Sequence, residues 1–413
     1  MIRNFRLLTS GIAVAVFAAA TLTSRAANAA QAVYVADVEQ LYAAVDNPAN
    51  AGANVALAPG IYRLSSTDPA GIARASLGRL ELQKDMSLYG VAGDRAAVVI
   101  DAGALPRTSF TMPFGRTGVI RTGRGSNAVE WLTIAGNNDA AAAVETDLVE
   151  NCYDVRVVPC PTRVRVAHVA AGDSARGVDV RNIGAAMAGR RVDAEIVENE
   201  FFRGVEGIRA INLAGADHGD IRVVMSGNRS YENFLGCIAE NNRSSFASIY
   251  VRSSGDRFED NMLGCQIGGG LVVPVLGSAN SNSVVFEASG SQFIDNRRVE
   301  FFNATGPDFS QWGGLLVEGG TALGRAGSTN GNTATVRLWG CKVAGNLNPF
   351  EPSTAVDFQA FGAHSGPTVS GIAGSDNHVI IEAFQQKHRS RGQNLIGGSF
   401  GHRCPTGVTS TSK

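Results

Sequence analysis

Aromatic residues make up only 7% of this 413-residue chain, and its formal net charge is −1. Few rings beside 49 glycines suit many tight turns between thin strands rather than a thick core of large side chains. The balanced charge excludes a global basic field, and with it a general nucleic-acid partner. A polyanion would have to meet a local basic patch. Long apolar runs are missing after Leu22, where no stretch approaches the ~18 residues of a membrane-spanning helix.

The first 29 residues read as an address. Arg3 and Arg6 precede the apolar run Leu7–Leu22, and Ala27-Asn28-Ala29 has the form of an A-x-A cleavage site. The run is short and Ala-rich, which fits a cleavable export signal better than a membrane anchor, so a secreted or periplasmic protein is expected. Six cysteines then remain in a compartment that permits disulfides, and six allow 15 pairings.

Four segments share one pattern: 195–211, 223–239, 250–267 and 285–302. Each has a β-branched run, a polar turn at Asn199, Asn228, Asp256 or Ser291, and a second short strand. Gly204, Asn233, Asn261 or Asn296 follows, and then a third strand. The turns recur at spacings of 29, 28 and 35 residues. Three short strands per repeat of this length, with no helix, define a stacked β-solenoid of roughly ten to thirteen coils. Such a fold offers a long lateral groove instead of an enclosed pocket.

The rest of the chain fits this scheme. Asp37 reads as an N-cap with Gln40 three residues on, and Val38, Leu41, Tyr42 and Val45 share one helical face through Asp46. A helix over 37–46 would cap the open apolar end of the first coil. Strand patterns run over 54–64, 80–103, 127–137, 163–170, 177–183, 335–346 and 378–386. One domain over 30–404 is expected, with interruptions at 268–283 and 303–334 that wall one face, and a frayed tail at 405–413.

The opening VADVEQLYAAVDN…NVALAPGIYRL, the phrase LELQKDMSLYGVAGDRAAVVIDAG and VEWLTIAGN resemble the early coils of right-handed parallel β-helix proteins of the pectin-lyase-like superfamily. The N-x-F-x-N-x-x-G-I-like coils match its generic repeat. The resemblance covers nearly all of the mature chain and implies an all-β, right-handed parallel β-helix with an N-terminal capping helix. It implies a groove on the outer face of the first sheet, here the one carrying Leu235–Glu240. It fixes no activity, because this superfamily holds lyases, hydrolases, epimerases, esterases and adhesins.

Alternation sorts the side chains of that sheet. With Cys237 and Ala239 inward, Glu240 points outward, and so do Arg209 one coil earlier and Gln266 one coil later. Arg243, Arg297, Arg298 and Glu300 follow in nearby turns and strands. Arg209, Glu240, Arg243, Arg297, Arg298 and Glu300 are thus the candidate catalytic strip, with Gln266 and Trp312 as candidate substrate contacts. Such a strip suits β-elimination from a uronic-acid polymer, which needs a cation to neutralise the substrate carboxylate and a base to take the α-proton. Ca²⁺ held by acidic side chains on neighbouring coils could supply that cation. Outward charges on a solenoid also simply keep it soluble, and Trp312 could pin a loop as readily as stack on a sugar.

Departures from the family's motifs are specific. There is no Asp-Asp dipeptide, no G-H-G, W-x-D-H or R-x-P-x-x-R string, and the lysines are only Lys84, Lys342, Lys387 and Lys413. No catalytic set carries over. The sequence therefore expects a monomeric, exported protein that binds a polysaccharide, either as a lyase on an anionic glycan or without catalysis. Cys237 and Cys265 occupy equivalent places on adjacent coils, where strands ~4.8 Å apart permit a disulfide or a ladder of free thiols. Cys152 could pair with Cys160 across a short loop, which would leave Cys341 for Cys404.

Overall fold

The computed structural model describes residues 31–106, 118–136, 142–148, 162–272, 277–297, 313–322, 327–348, 351–355, 358–365, 376–384, 395–396 and 408–412. Its strands stack in three parallel sheets of 12, 10 and 9 members among these residues. Chain order passes from the 12-stranded to the 9-stranded to the 10-stranded sheet and back, once per coil. One coil is Asp220–Ser226, Arg229–Tyr231 and Leu235–Asn242; the next is Ser248–Ser254, Arg257–Glu259 and Leu263–Val272. This is a parallel β-helix, and a strand that returns parallel to the same sheet does so with a right-handed crossover.

Register explains why the sequence repeats. Ile221 lies beside Ile249, Ser230 beside Phe258, and Cys237 beside Cys265. Alternate residues of the strands therefore stack in register, mostly apolar on apolar, into a core that runs the length of the coils. Phe258 and Phe293 stack with centroids 5.2 Å apart. Each fully buried Val, Ile, Leu or Phe contributes about 1.5–3 kcal/mol relative to exposure.

The turn residues do what their spacing requires. Gly227, Gly255, Gly290 and Gly340 all have φ between 59 and 66°, a left-handed bend that any Cβ would strain. The residue after each bend turns inward. Asn228 donates its Nδ2 to the Ile196 carbonyl (2.8 Å) and its Oδ1 accepts from the amide and side chain of Asn199 (3.1 and 2.9 Å). Asp256 and Ser291 continue this ladder. A second runs through Asn233, Asn261, Asn296 and Asn346 at the following turn. Buried amides with partners on both sides satisfy turn backbone that would otherwise be orphaned.

The helix forms as Val38–Val45, with Asp37 accepting from the Gln40 amide (2.8 Å) and Gln40 reaching back to the Ala36 amide (2.9 Å). It packs against Ala32–Val35 and Leu80–Glu81, terminal strands of two sheets. Leu41, Tyr42, Ala44 and Val45 join the coil core there. Elsewhere the repeat is more complete than the sequence suggests. Leu315–Ala322 is a full strand of the 10-stranded sheet, and Gly327–Ser328 pairs with Gly277–Ser278, so extra residues on adjacent coils stack on each other. Val408–Ser412 pairs with Val379–Ala383 as a further strand of the 12-stranded sheet.

The cysteine ladder is a core feature without a bond. Cys237 and Cys265 are fully buried neighbours in register, and both are free thiols. Of the two arrangements the sequence left open for this pair, the ladder of free thiols is the one present, and the two sulfurs pack as core volume. Cys341 is likewise buried and free, with its Sγ donating to the Trp339 carbonyl (3.7 Å). Cys152, Cys160 and Cys404 lie outside the described residues.

Candidate functional site

The outer face of the 10-stranded sheet carries a continuous row of charge. Glu81, Arg121, Glu145, Asp179 and Arg209 stand side by side on five successive coils. Signs alternate along most of the row, as they must where side chains ~4.8 Å apart share one face. Arg209 grips Asp179 with two bonds of 2.9 and 2.7 Å. Arg121 does the same to Asp147 (2.9 and 2.7 Å) and also meets Glu81. Arg181 contacts Glu145 and lies 3.5 Å from Asp179, while Arg176 holds Glu206 at 2.5 Å.

Beyond Arg209 the same row carries no charge: Ile238, then Gln266, then Leu316. Ile238 and Leu316, with Leu235, Met262 and Leu263, form a second hydrophobic cluster separate from the core. Two residues along, Ile211, Glu240, Gly268 and Glu318 make the neighbouring row. Gln266 donates to Glu318 (3.2 Å), and Asn242 donates to Glu240 Oε1 (3.4 Å). Glu240 Oε2 and Asn242 Oδ1 are buried acceptors with no hydrogen-bond partner.

This face is buried, and its titration reflects that. Burial pushes Glu145 up to about 8, with Asp147 and Asp179 adding to the rise and Arg181 opposing it. Burial, then repulsion from Glu206, lifts Glu240 to about 7 against the pull of Arg209. Asp179 goes the other way. Burial alone would raise it, but Arg209 and Arg181 hold it at about 2. Arg209 is raised above the ordinary guanidinium value by Asp179 and Glu206 in spite of its burial. The face thus sets two carboxyl groups that exchange protons near neutrality beside one locked as an anion.

The structure brings together Arg209, Glu240 and Gln266 of the expected strip on one sheet face, and corrects their arrangement. Gln266 is in the Arg209 row, but Glu240 lies in the next one, so the three do not form a straight line. Arg209 points outward from the core as the alternation expects, yet it is only 6% exposed, because Asp179 and Glu206 enclose its guanidinium. Arg243 falls outside the strand, at φ 53° in the turn after it, with its aliphatic stem near Gly277. Arg297 is exposed just past Asn296. Arg298, Glu300 and Trp312 lie outside the described residues.

Sequence reading missed Arg121, Glu145, Asp147, Asp179, Arg181 and Glu206. A signal existed: GVDVRNI alternates, and placing Val178 opposite Ile208 sends Asp179 and Arg181 to the outer face. The irregular stretch 138–192 hid that register.

No group of three or more His, Cys, Asp or Glu side chains poised for a metal ion occurs among the described residues. Ca²⁺ takes 6–8 oxygens, and the open acceptors on this face are Glu240 Oε2 and Asn242 Oδ1, with Thr321 Oγ1 two coils on. The donor set does not fit the ion, and no step below passes through one. No helix among the described residues is long and apolar enough to cross a membrane.

No known protein-family pattern matches the chain. No curated protein matches it either. Among solved structures, it is similar to the A-module of Azotobacter vinelandii mannuronan C-5 epimerase AlgE4, with 14% identity over 92% of this chain and 100% of that one and a TM-score of 0.37. The AlgE6 A-module of the same organism matches with 15% identity, 84% and 94% coverage and a TM-score of 0.35. An endo-xylogalacturonan hydrolase from Aspergillus tubingensis matches with 12% identity, 91% and 94% coverage and a TM-score of 0.28. At such identities and scores no residue role or activity is carried over. The parallel β-helix rests on the chain's own three stacked sheets.

Proposed function

We propose that this is an exported β-helix protein that interacts with an extended anionic polysaccharide, and that its 10-stranded sheet carries lyase chemistry. The observation behind this is Glu240. Its carboxyl is set at about 7 beside Arg209, and its Oε2 is buried without a partner. An unsatisfied buried acceptor costs about 1–3 kcal/mol, and perturbed carboxyls of this kind concentrate where a fold moves protons.

In β-elimination a base takes the proton α to the uronate carboxylate, the C4–O bond breaks, and the departing oxygen gains a proton. No water is consumed. Glu240 is half ionised near pH 7 and suits either proton transfer. Arg209 is the nearby cation that would favour charge building on the substrate carboxylate. The mannuronan and xylogalacturonan named for the similar structures are polymers of the class meant here.

A second reading, binding without catalysis, is favoured by a different observation. Arg121, Arg176, Arg181 and Arg209 already hold carboxylate partners of this chain, which leaves each less able to neutralise a substrate. The test is to incubate the protein with polygalacturonate, alginate and glycosaminoglycans and follow ultraviolet absorbance from unsaturated uronate ends, with and without EDTA. Product that depends on Glu240 supports the lyase. Retention of a polymer with no product on any of them selects the binding reading.

A further inference from the structure

A different face of the solenoid has the features of a ligand groove. A cavity of about 690 Å³ lies along the outer side of the 12-stranded sheet, with Tyr89 and Tyr250 among its walls. It touches strands of six successive coils, a length of about 25 Å at the spacing of stacked strands. Small outward residues make the trough: Ser87 and Ala128 stand in register with the long Arg165.

The next row holds the charge pattern. Ser126, Arg163, Asp193, Arg222 and Tyr250 are neighbours on five successive coils. Asp193 is occupied by Arg191 (3.1 and 2.9 Å), and Arg222 leans on Asp220 (3.2 Å). Arg163 is exposed, and its guanidinium has no ion pair among the described residues. Two cations therefore face solvent on alternate coils, about 10 Å apart. Next to Arg222 stands the ring of Tyr250, fixed by its hydroxyl donating to Glu287 (2.5 Å).

On the 10-stranded sheet the arginines are buried and internally paired, whereas here Arg163 and Arg222 are exposed and the lining acids Glu130 and Glu195 are taken up by Arg165. We infer that the trough between Tyr89 and Tyr250 is a glycan-binding groove for an extended uronate-containing chain. Such a chain, with a near-twofold repeat, presents alternate carboxylates to one side. Arg163 and Arg222 would take two of them through charge-assisted bonds, and Tyr250 offers an apolar ring to a sugar face. The groove is on another sheet from the proposed chemistry and does not depend on it.

The test is affinity electrophoresis of the whole protein through gels containing polygalacturonate, polymannuronate or dextran. The parent should be retarded by a polyuronate and not by dextran. The double variant Arg163→Ala/Arg222→Ala should lose affinity about tenfold or more with an unchanged melting temperature, since both side chains are exposed. Arg163→Lys/Arg222→Lys should recover part of the loss. Arg63→Ala/Arg203→Ala, which removes two exposed arginines elsewhere, should bind like the parent. The groove is overturned by no retardation in any polyuronate, by equal retardation in dextran, or by undiminished binding of the folded double variant. Equal loss in the Arg63/Arg203 control also overturns it, because only general charge would then be at work. Unsaturated product formed by a double variant that binds normally would leave the lyase standing and remove the groove alone.

Discussion

Replacing Glu240 by Gln should stabilise the protein at alkaline pH and do nothing at acid pH. An ordinary Glu titrates at 4.5, and Glu240 in the fold at about 7. Between those values the folded chain holds a proton that the unfolded chain releases, so stability falls as pH rises through this window. Below about pH 4.5 the group is neutral in both states and costs nothing; above pH 7 the full cost is present, on the order of 3 kcal/mol. Gln is neutral at every pH and has nearly the same shape. Its Oε1 keeps the bond from Asn242 (3.4 Å in the parent). Urea unfolding of parent and variant at pH 5, 6, 7 and 8 isolates the effect, because other titrating groups such as Glu145 cancel in the difference. The expected stability gap is small at pH 5, grows through pH 6 and 7, and levels off by pH 8. A gap that is constant across pH, or a loss of stability at pH 8, would refute the account of Glu240 as a strained buried carboxyl.

Arg209→Ala should cost about 3–5 kcal/mol, seen as a lower melting temperature, because it leaves the fully buried Asp179 without its bidentate partner; a variant as stable as the parent would place Arg209 at the surface after all. Asn228→Ala removes both directions of a buried side-chain ladder and should cost on the order of 3 kcal/mol, checked by thermal unfolding. Cys237 and Cys265 should resist a bulky maleimide in the native protein and react only after unfolding, with mass spectrometry of unreduced peptides showing no crosslink. Gly236→Ala should destabilise strongly, since an added Cβ would sit 2.5 Å from the Gly264 carbonyl oxygen on the adjacent coil.

The amino-acid sequence by itself determined the coil. Period-two alternation, a polar residue at each turn, and equivalent residues every 28 to 35 positions are local signals, and stacking a repeat on itself needs no distant information. Asn199, Asn228, Asn233, Asn261 and Asn296 could be read as turn ladders because their partners are copies of themselves one coil away. The helix Val38–Val45 was legible for the same reason, its cap and apolar face lying within ten residues. What only tertiary structure decided is which outward charges are buried and with whom they pair. Alternation sends Arg209 outward correctly, but a residue that faces away from the core is not thereby exposed. Its environment depends on Asp179 and Glu206, set by register across coils of unequal length. The same held for Glu240, displaced by one row from Arg209, and for Cys237 and Cys265, where adjacency was written in the repeat but bonding was not. Burial, register and proton affinity are sums over neighbours from several coils, and a linear pattern fixes the neighbours' identities before it fixes their distances.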